Sequence, residues 1–140
     1  SDPTAQIQAL RNGEVDIMQP GNVNKDTLDQ VQQIENVNVQ KGDQLAYDDL
    51  NFGSDVFKDQ KVREAFLKTI PRQQIVDQLI KPVKDDASVL NSQMYVSSQK
   101  DEYGKAVEKN EAESMYGDVD IEGAKELLGG KTPTVRILYN

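Results

Sequence analysis

In Phe57 to Ile80, FKDQKVREAFLKTIPRQQIVDQLI, a helix stops and restarts. Phe57, Lys58 and Asp59 lead into a helix in which Val62, Ala65, Phe66 and Thr69 share one face. Pro71 cannot extend it, because its ring clashes with the preceding turn and it donates no N–H. Proline does suit the first position of a new helix, with Thr69 or Ile70 near the cap. Ile75, Val76, Leu79 and Ile80 then form a fresh apolar stripe, stopped before Pro82. Such a corner wraps two amphipathic helices around one core.

Upstream, Asp2-Pro3-Thr4 offers a cap and an N1 proline to a short helix whose apolar residues are Ile7, Ala9 and Leu10. Asn12-Gly13 supplies the residue types that end helices in the left-handed conformation. Val15-Asp16-Ile17-Met18 reads as a strand, broken by Pro20-Gly21. A second helix follows, with Asn24 as N-cap, Asp26 in the first turn, and Leu28, Val31 and Ile34 on one face. Val37 and Val39 alternate with polar residues, as in a half-buried strand, and Lys41-Gly42-Asp43 makes a turn. Gln44 to Phe52, QLAYDDLNF, reads as a further extended stretch. Strand, helix and strand in this order predict a right-handed crossover in a mixed sheet.

Downstream, Lys81 to Lys100 turns polar, with Val83, Val89, Leu90, Met94, Tyr95 and Val96 as its sizeable apolar anchors. A long loop, ordered in places, is expected there. Tyr103 to Tyr116 suits a charged surface helix. Asp120 to Leu128 is a stronger helix, lined by Ile121, Ala124, Leu127 and Leu128 and ended by Gly129-Gly130. Val135 to Tyr139 reads as a strand. No internal repeat is visible.

The chain has 140 residues, enough for one domain with a modest core, and its 36% hydrophobic content predicts a thin one. A net charge of −8 argues against sequence-independent nucleic-acid binding, which relies on Lys and Arg neutralising phosphates. It also disfavours anionic membrane surfaces. Cysteine and histidine are both absent, which removes thiolate and imidazole metal ligands, cysteine nucleophiles and any histidine-based triad. Lack of cysteine suits the cytosol and many bacterial exported proteins alike.

The remaining chemistry is sparse. Asp48 and Asp49 are neighbours on an expected strand, so they point to opposite faces and make no close catalytic pair. Asp118, Asp120 and Glu122 lack the other ligands and the glycine of a calcium loop, and acids favour a helix N-terminus. Gly129-Gly130-Lys131 follows a helix rather than a strand, unlike a phosphate-binding loop. Arg63 and Arg72 read as surface or ion-pairing residues of their helices. No catalytic residue, metal ligand or cofactor is expected.

Four segments resemble, in order, the large solute-binding proteins of bacterial peptide importers, the extracellular solute-binding family 5. Ala9-Leu10 through Gly13-Glu14-Val15-Asp16-Ile17 is similar to the family's A-L-x-x-G-E-x-D-I segment. Leu50-Asn51-Phe52 is similar to a strand ending in a flanked asparagine. Phe57 to Ala65 is similar to the signature F-x-D-x-x-V-R-x-A, followed by Arg72-Gln73-Gln74-Ile75-Val76. Asp120 to Asn140 is similar to a segment in which an A-K-x-L-L helix precedes a strand ending L-Y-N. Pro71 departs from the family, which commonly has an aspartate there.

The resemblance implies an α/β fold: a partial lobe of a type II periplasmic-binding-protein-like fold, a mixed sheet with flanking helices. It implies that residues 1–140 are one domain, a truncated piece of the second lobe of a larger protein. The leader, the lipid-anchor cysteine and the first lobe would lie elsewhere. It further implies a non-enzymatic partner of short peptides and of an ABC permease, anchored outside the membrane by a lipid. By position, the ligand-binding residues carried over are Gln19, Asn22, Tyr47 and Asp49. Tyr47 and Asp49 lie two apart, so one strand face would present both. A tyrosine offers flat apolar area with a hydroxyl, and an acid meets an amino end or basic side chain. The competing reading makes Tyr47 a core residue and Asp49 a solvated acid. Nickel, a sugar or an opine on the same scaffold, and a stand-alone interaction module, remain as alternative functions.

Overall fold

The computed structural model describes residues 2–21, 23–42 and 50–138. The chain divides into two compact units, one of residues 1–42 and 74–88, the other of residues 43–73 and 89–140.

In the first unit, α1 (Pro3–Arg11) packs on α2 (Lys25–Gln32). The expected caps form. The Asp2 carboxylate accepts from Thr4 N, Pro3 occupies the first turn, and the Asn24 side chain accepts from both Thr27 N and Thr27 Oγ1. Ile7 and Leu28 are the buried residues of the two helices. Residues 74–88 also belong to this unit: the end of α4 (Arg72–Ile75) runs into a π-helical stretch, Val76–Ile80. Its expected apolar stripe is largely exposed at Ile75, Leu79 and Ile80.

The second unit is built on two antiparallel helices, α3 (Gln60–Lys68) and α7 (Ile121–Leu128). A 3₁₀ turn, Asp55–Lys58, leads into α3, and α5 (Lys100–Asn110) and α6 (Ala112–Tyr116) complete the set. Small residues sit at the core of the pair: Ala65 is 2% exposed and Ala124 4%. With only a methyl on each, the helix backbones can approach closely. Val62 and Phe57 are buried beside them. Phe52, Phe57 and Phe66 form an aromatic cluster with centroids 4.7, 5.5 and 6.1 Å apart, tilted or edge-on as ring quadrupoles prefer.

The helix break forms where the sequence predicts it, although the stripe beyond it is not buried. Helix α3 ends at Lys68, Thr69 caps it, and its hydroxyl donates to Phe66 O at 2.7 Å. Exposed Pro71 immediately precedes α4. The expected surface helix is split into α5 and α6 at Glu111, which adopts a left-handed φ of 54°. The polar stretch before α5 consists of turns and irregular backbone, pinned by buried Val96.

The α/β expectation is overturned. Among the described residues there is no strand, no sheet and hence no crossover; the architecture is all helical. Val15–Met18, Val37–Val39 and Val135–Leu138 are irregular or bends. Gln44–Asp49 lies outside the described residues, and Leu50–Phe52 is irregular. Alternation marks the two faces of a strand, but a strand persists only when its backbone groups pair with a neighbour. None of the described segments finds one here, and Ile17 and Leu138 stay in water, 87% and 86% exposed.

Burial ranks the residues of the corner region. Phe57→Ala should cost about 3–5 kcal/mol, as a buried aromatic does, and half-buried Phe66 should cost less. Exposed Pro71→Ala should change stability by about 1 kcal/mol or less. Urea melts of the three variants check this order, and equal losses at Phe57 and Pro71 would contradict it.

Candidate functional site

The four residues expected to meet ligand are not assembled into one site by the described residues. Gln19 is exposed on the irregular segment between α1 and α2. Asn22, Tyr47 and Asp49 lie outside the described residues.

The signature segment, by contrast, is fully described, and each of its residues has a structural task. Phe57 fills the aromatic cluster. Asp59 is the N-cap of α3, its Oδ1 accepting from Lys61 N at 3.0 Å. Val62 and Ala65 are buried. The Arg63 guanidinium folds back, Nη1 donating to Phe57 O at 2.5 Å and to Lys58 O at 3.1 Å. It thereby satisfies carbonyls of the 3₁₀ turn that its own helix cannot reach. Arg63 is thus a backbone clamp, and not the surface or ion-pairing residue expected from sequence.

Ion pairs tie both ends of the α3–α7 pair. At one end Lys131 Nζ lies 2.9 Å from Asp59 Oδ2. At the other, Lys68 Nζ lies 2.8 Å from Asp120 Oδ2, and Asp120 N donates to Lys68 O at 2.9 Å. Asp120 also caps α7, its Oδ1 accepting from Gly123 N at 2.8 Å. A side chain on Gly123 would collide with that carboxylate, its Cβ falling 2.1 Å from Oδ2. Hydrogen bonding to Lys68, then to Gly123 N–H, holds the Asp120 carboxyl below the ordinary aspartate range, and the same bond raises Lys68. Asp59 is lowered by its bond to Lys131 and by the Lys61 N–H. Between the helices runs an open groove of about 430 Å³, lined by Lys61, Glu64, Lys68, Asp120, Glu126 and Leu127 among others. Its lining carries two cations, Lys61 and Lys68, and three anions, Glu64, Asp120 and Glu126.

A second polar centre surrounds Arg72. Its Nε and Nη2 donate to Tyr116 O at 3.1 and 2.9 Å, and Nη1 donates to Asn91 Oδ1 at 3.0 Å. Asn91 is held twice more, its N–H donating to Tyr103 Oη at 3.0 Å and its carbonyl accepting from Asn110 Nδ2 at 2.5 Å. Arg72 thus closes the C-terminus of α6 and fixes the middle of the polar loop at Asn91. Its acceptors lie 19 and 44 residues away, so no local pattern announces them. Among the described residues no group of three acidic side chains is placed to hold a metal ion.

These contacts hold the second unit together through caps, ion pairs and backbone clamps. A family model described as bacterial extracellular solute-binding proteins, family 5 Middle, matches residues 1–131, and the chain belongs to that family. It is therefore a solute-binding protein, and membership points to a periplasmic or extracellular location. Comparison with curated proteins and with solved structures gave no match.

The ion pairs set a pH dependence. Asp59 and Asp120 are lowered on folding, so their stabilisation is present above the ordinary value of 3.8 and is lost as pH falls below it. Lys68 is raised, so its share is present below 10.5 and is lost as pH climbs beyond it. Asp120→Asn should therefore flatten both limbs of a plot of melting temperature against pH. Limbs unchanged from the parent chain would show that the Lys68–Asp120 pair carries no stability.

Proposed function

We propose that the chain is a piece of the second lobe of a two-lobe protein that captures short peptides outside the membrane and delivers them to an ABC permease. The observation that carries this reading is the family match across residues 1–131, together with the signature segment Phe57 to Ala65. Peptide is the preferred solute because the segments resemble those of peptide importers and because no histidine is present to favour a metal such as nickel. A lipid anchor at the parent's N-terminus would hold it at the membrane.

In this proposal Gln19, Asn22, Tyr47 and Asp49 face the ligand. The signature residues are committed to caps, core and clamps, so they are not available for capture. Asp49 would receive a peptide amino group or basic side chain, and Tyr47 would give an apolar face with a hydroxyl. Enclosure between two lobes excludes water and fixes orientation, so one lobe alone should bind weakly.

Calorimetry on the two-lobe parent tests this. Asp49→Asn should weaken peptides carrying a nearby positive group by about 1–3 kcal/mol, the range for hydrogen bonds to charge. Added salt should shrink the difference if the pair is exposed. Unchanged affinity for basic and neutral peptides alike would make Asp49 a solvated acid. No affinity for any short peptide would overturn the choice of solute.

A further inference from the structure

Asn12-Gly13 ends α1 in a closed hydrogen-bonded motif. Gly13 has φ of 70°, its N–H donates to Leu10 O at 3.2 Å, and Glu14 N donates to Ala9 O at 2.9 Å. This pair of bonds is the Schellman arrangement, with glycine at the left-handed position. The Asn12 side chain is held on both sides: Oδ1 accepts from Gln8 Nε2 at 2.9 Å, and Nδ2 donates to Glu14 Oε1 at 2.9 Å. Asn12 and Gly13 are both exposed, and Asn12 is the only asparagine in the chain followed by glycine.

Those facts meet in one piece of chemistry. A following glycine has no Cβ to obstruct attack by its own backbone nitrogen on the asparagine amide carbon. Hydroxide removes the Gly13 amide proton, and the nitrogen bonds to Asn12 Cγ. The Cγ–NH₂ bond breaks and ammonia leaves, closing a five-membered imide. Water then opens the ring at either carbonyl, giving aspartate or isoaspartate. In the folded chain the attacking nitrogen is engaged with Leu10 O, and the amide under attack is fixed by Gln8 and Glu14. Ring closure needs both sets of bonds to open. Helix ends open more readily than helix centres, and α1 is anchored by one buried residue, Ile7.

We infer that Asn12 is the preferred deamidation site of this chain and that the C-terminal turn of α1 gates the reaction. The product damages its own surroundings. A carboxylate at position 12 faces the negative end of the α1 dipole and repels Glu14 in place of the lost amide bond. Isoaspartate adds a methylene to the backbone, which the two closing bonds of the turn cannot span unchanged. The modification thus loosens the entry to Glu14–Met18 and the segment carrying Gln19.

Mass spectrometry on the chain, aged in mildly alkaline buffer and digested, reads the rate at every asparagine. Fragmentation separates aspartate from isoaspartate. The Asn12 peptide should convert fastest, well ahead of Asn91-Ser92, and should slow in mildly acidic buffer. Asn12→Gln needs a six-membered ring and should stay unmodified. Ile7→Ala, which frees α1, should speed conversion by at least about tenfold. Asp2→Ala, which removes the N-cap and leaves the buried face intact, should speed it by about fivefold. Conversion at Asn12 no faster than at Asn91 overturns the site, and unchanged rates in the folded Asp2→Ala variant overturn the gate.

Discussion

The close approach of α3 and α7 is the contact on which the second unit depends. Alanines at 65 and 124 leave room for it, and any larger side chain would have to push the helices apart. The antiparallel arrangement then brings opposite ends of the two helices together. Asp59 meets Lys131 at one end and Lys68 meets Asp120 at the other. Both acids are also N-caps, so one carboxylate at each end serves two roles. Exposed ion pairs of this kind contribute little alone. Here they act with backbone bonds already made, and they select register more than they add stability.

The stretch by which the family is recognised turns out to be the stretch that builds this contact. F-x-D-x-x-V-R-x-A is a set of packing, capping and clamping instructions: an aromatic, a cap, a buried valine, an arginine that satisfies the preceding turn, and a small residue at the helix crossing. Such residues are tied to one another by geometry and cannot vary independently. A binding surface has the opposite character, because it is adjusted to each solute. The segment that names the family therefore identifies the scaffold.

Arg72 shows how a polar loop is ordered in a chain with few apolar residues. One guanidinium reaches a helix C-terminus and an asparagine side chain, and that asparagine is fixed again by Tyr103 and Asn110. Arginine suits the task because its planar fork presents several donors at once with little further loss of freedom. The network adds polar ties to the few apolar anchors between Val89 and Val96.

The sequence by itself determined the helices, their caps and their breaks. Asp2 and Asn24 cap as expected, Asp59 and Asp120 cap the helices they open, Gly13 and Gly129 close helices, and Pro71 separates two. These are local events, settled within a few residues by backbone geometry and one side chain. The family was legible too, since its motifs are short and ordered along the chain. The strands were misread because alternation records a preference for two faces, whereas pairing is a contract with a distant partner. Only the tertiary structure decided that Ile17 and Leu138 remain in water, that Arg63 turns back on its own helix start, and that Arg72 serves residues far along the chain. The expected ligand residues rest on resemblance alone, since no spacing of residues in this sequence assembles them. What depends on a neighbour close in sequence can be read from the chain; what depends on a neighbour brought near by folding cannot.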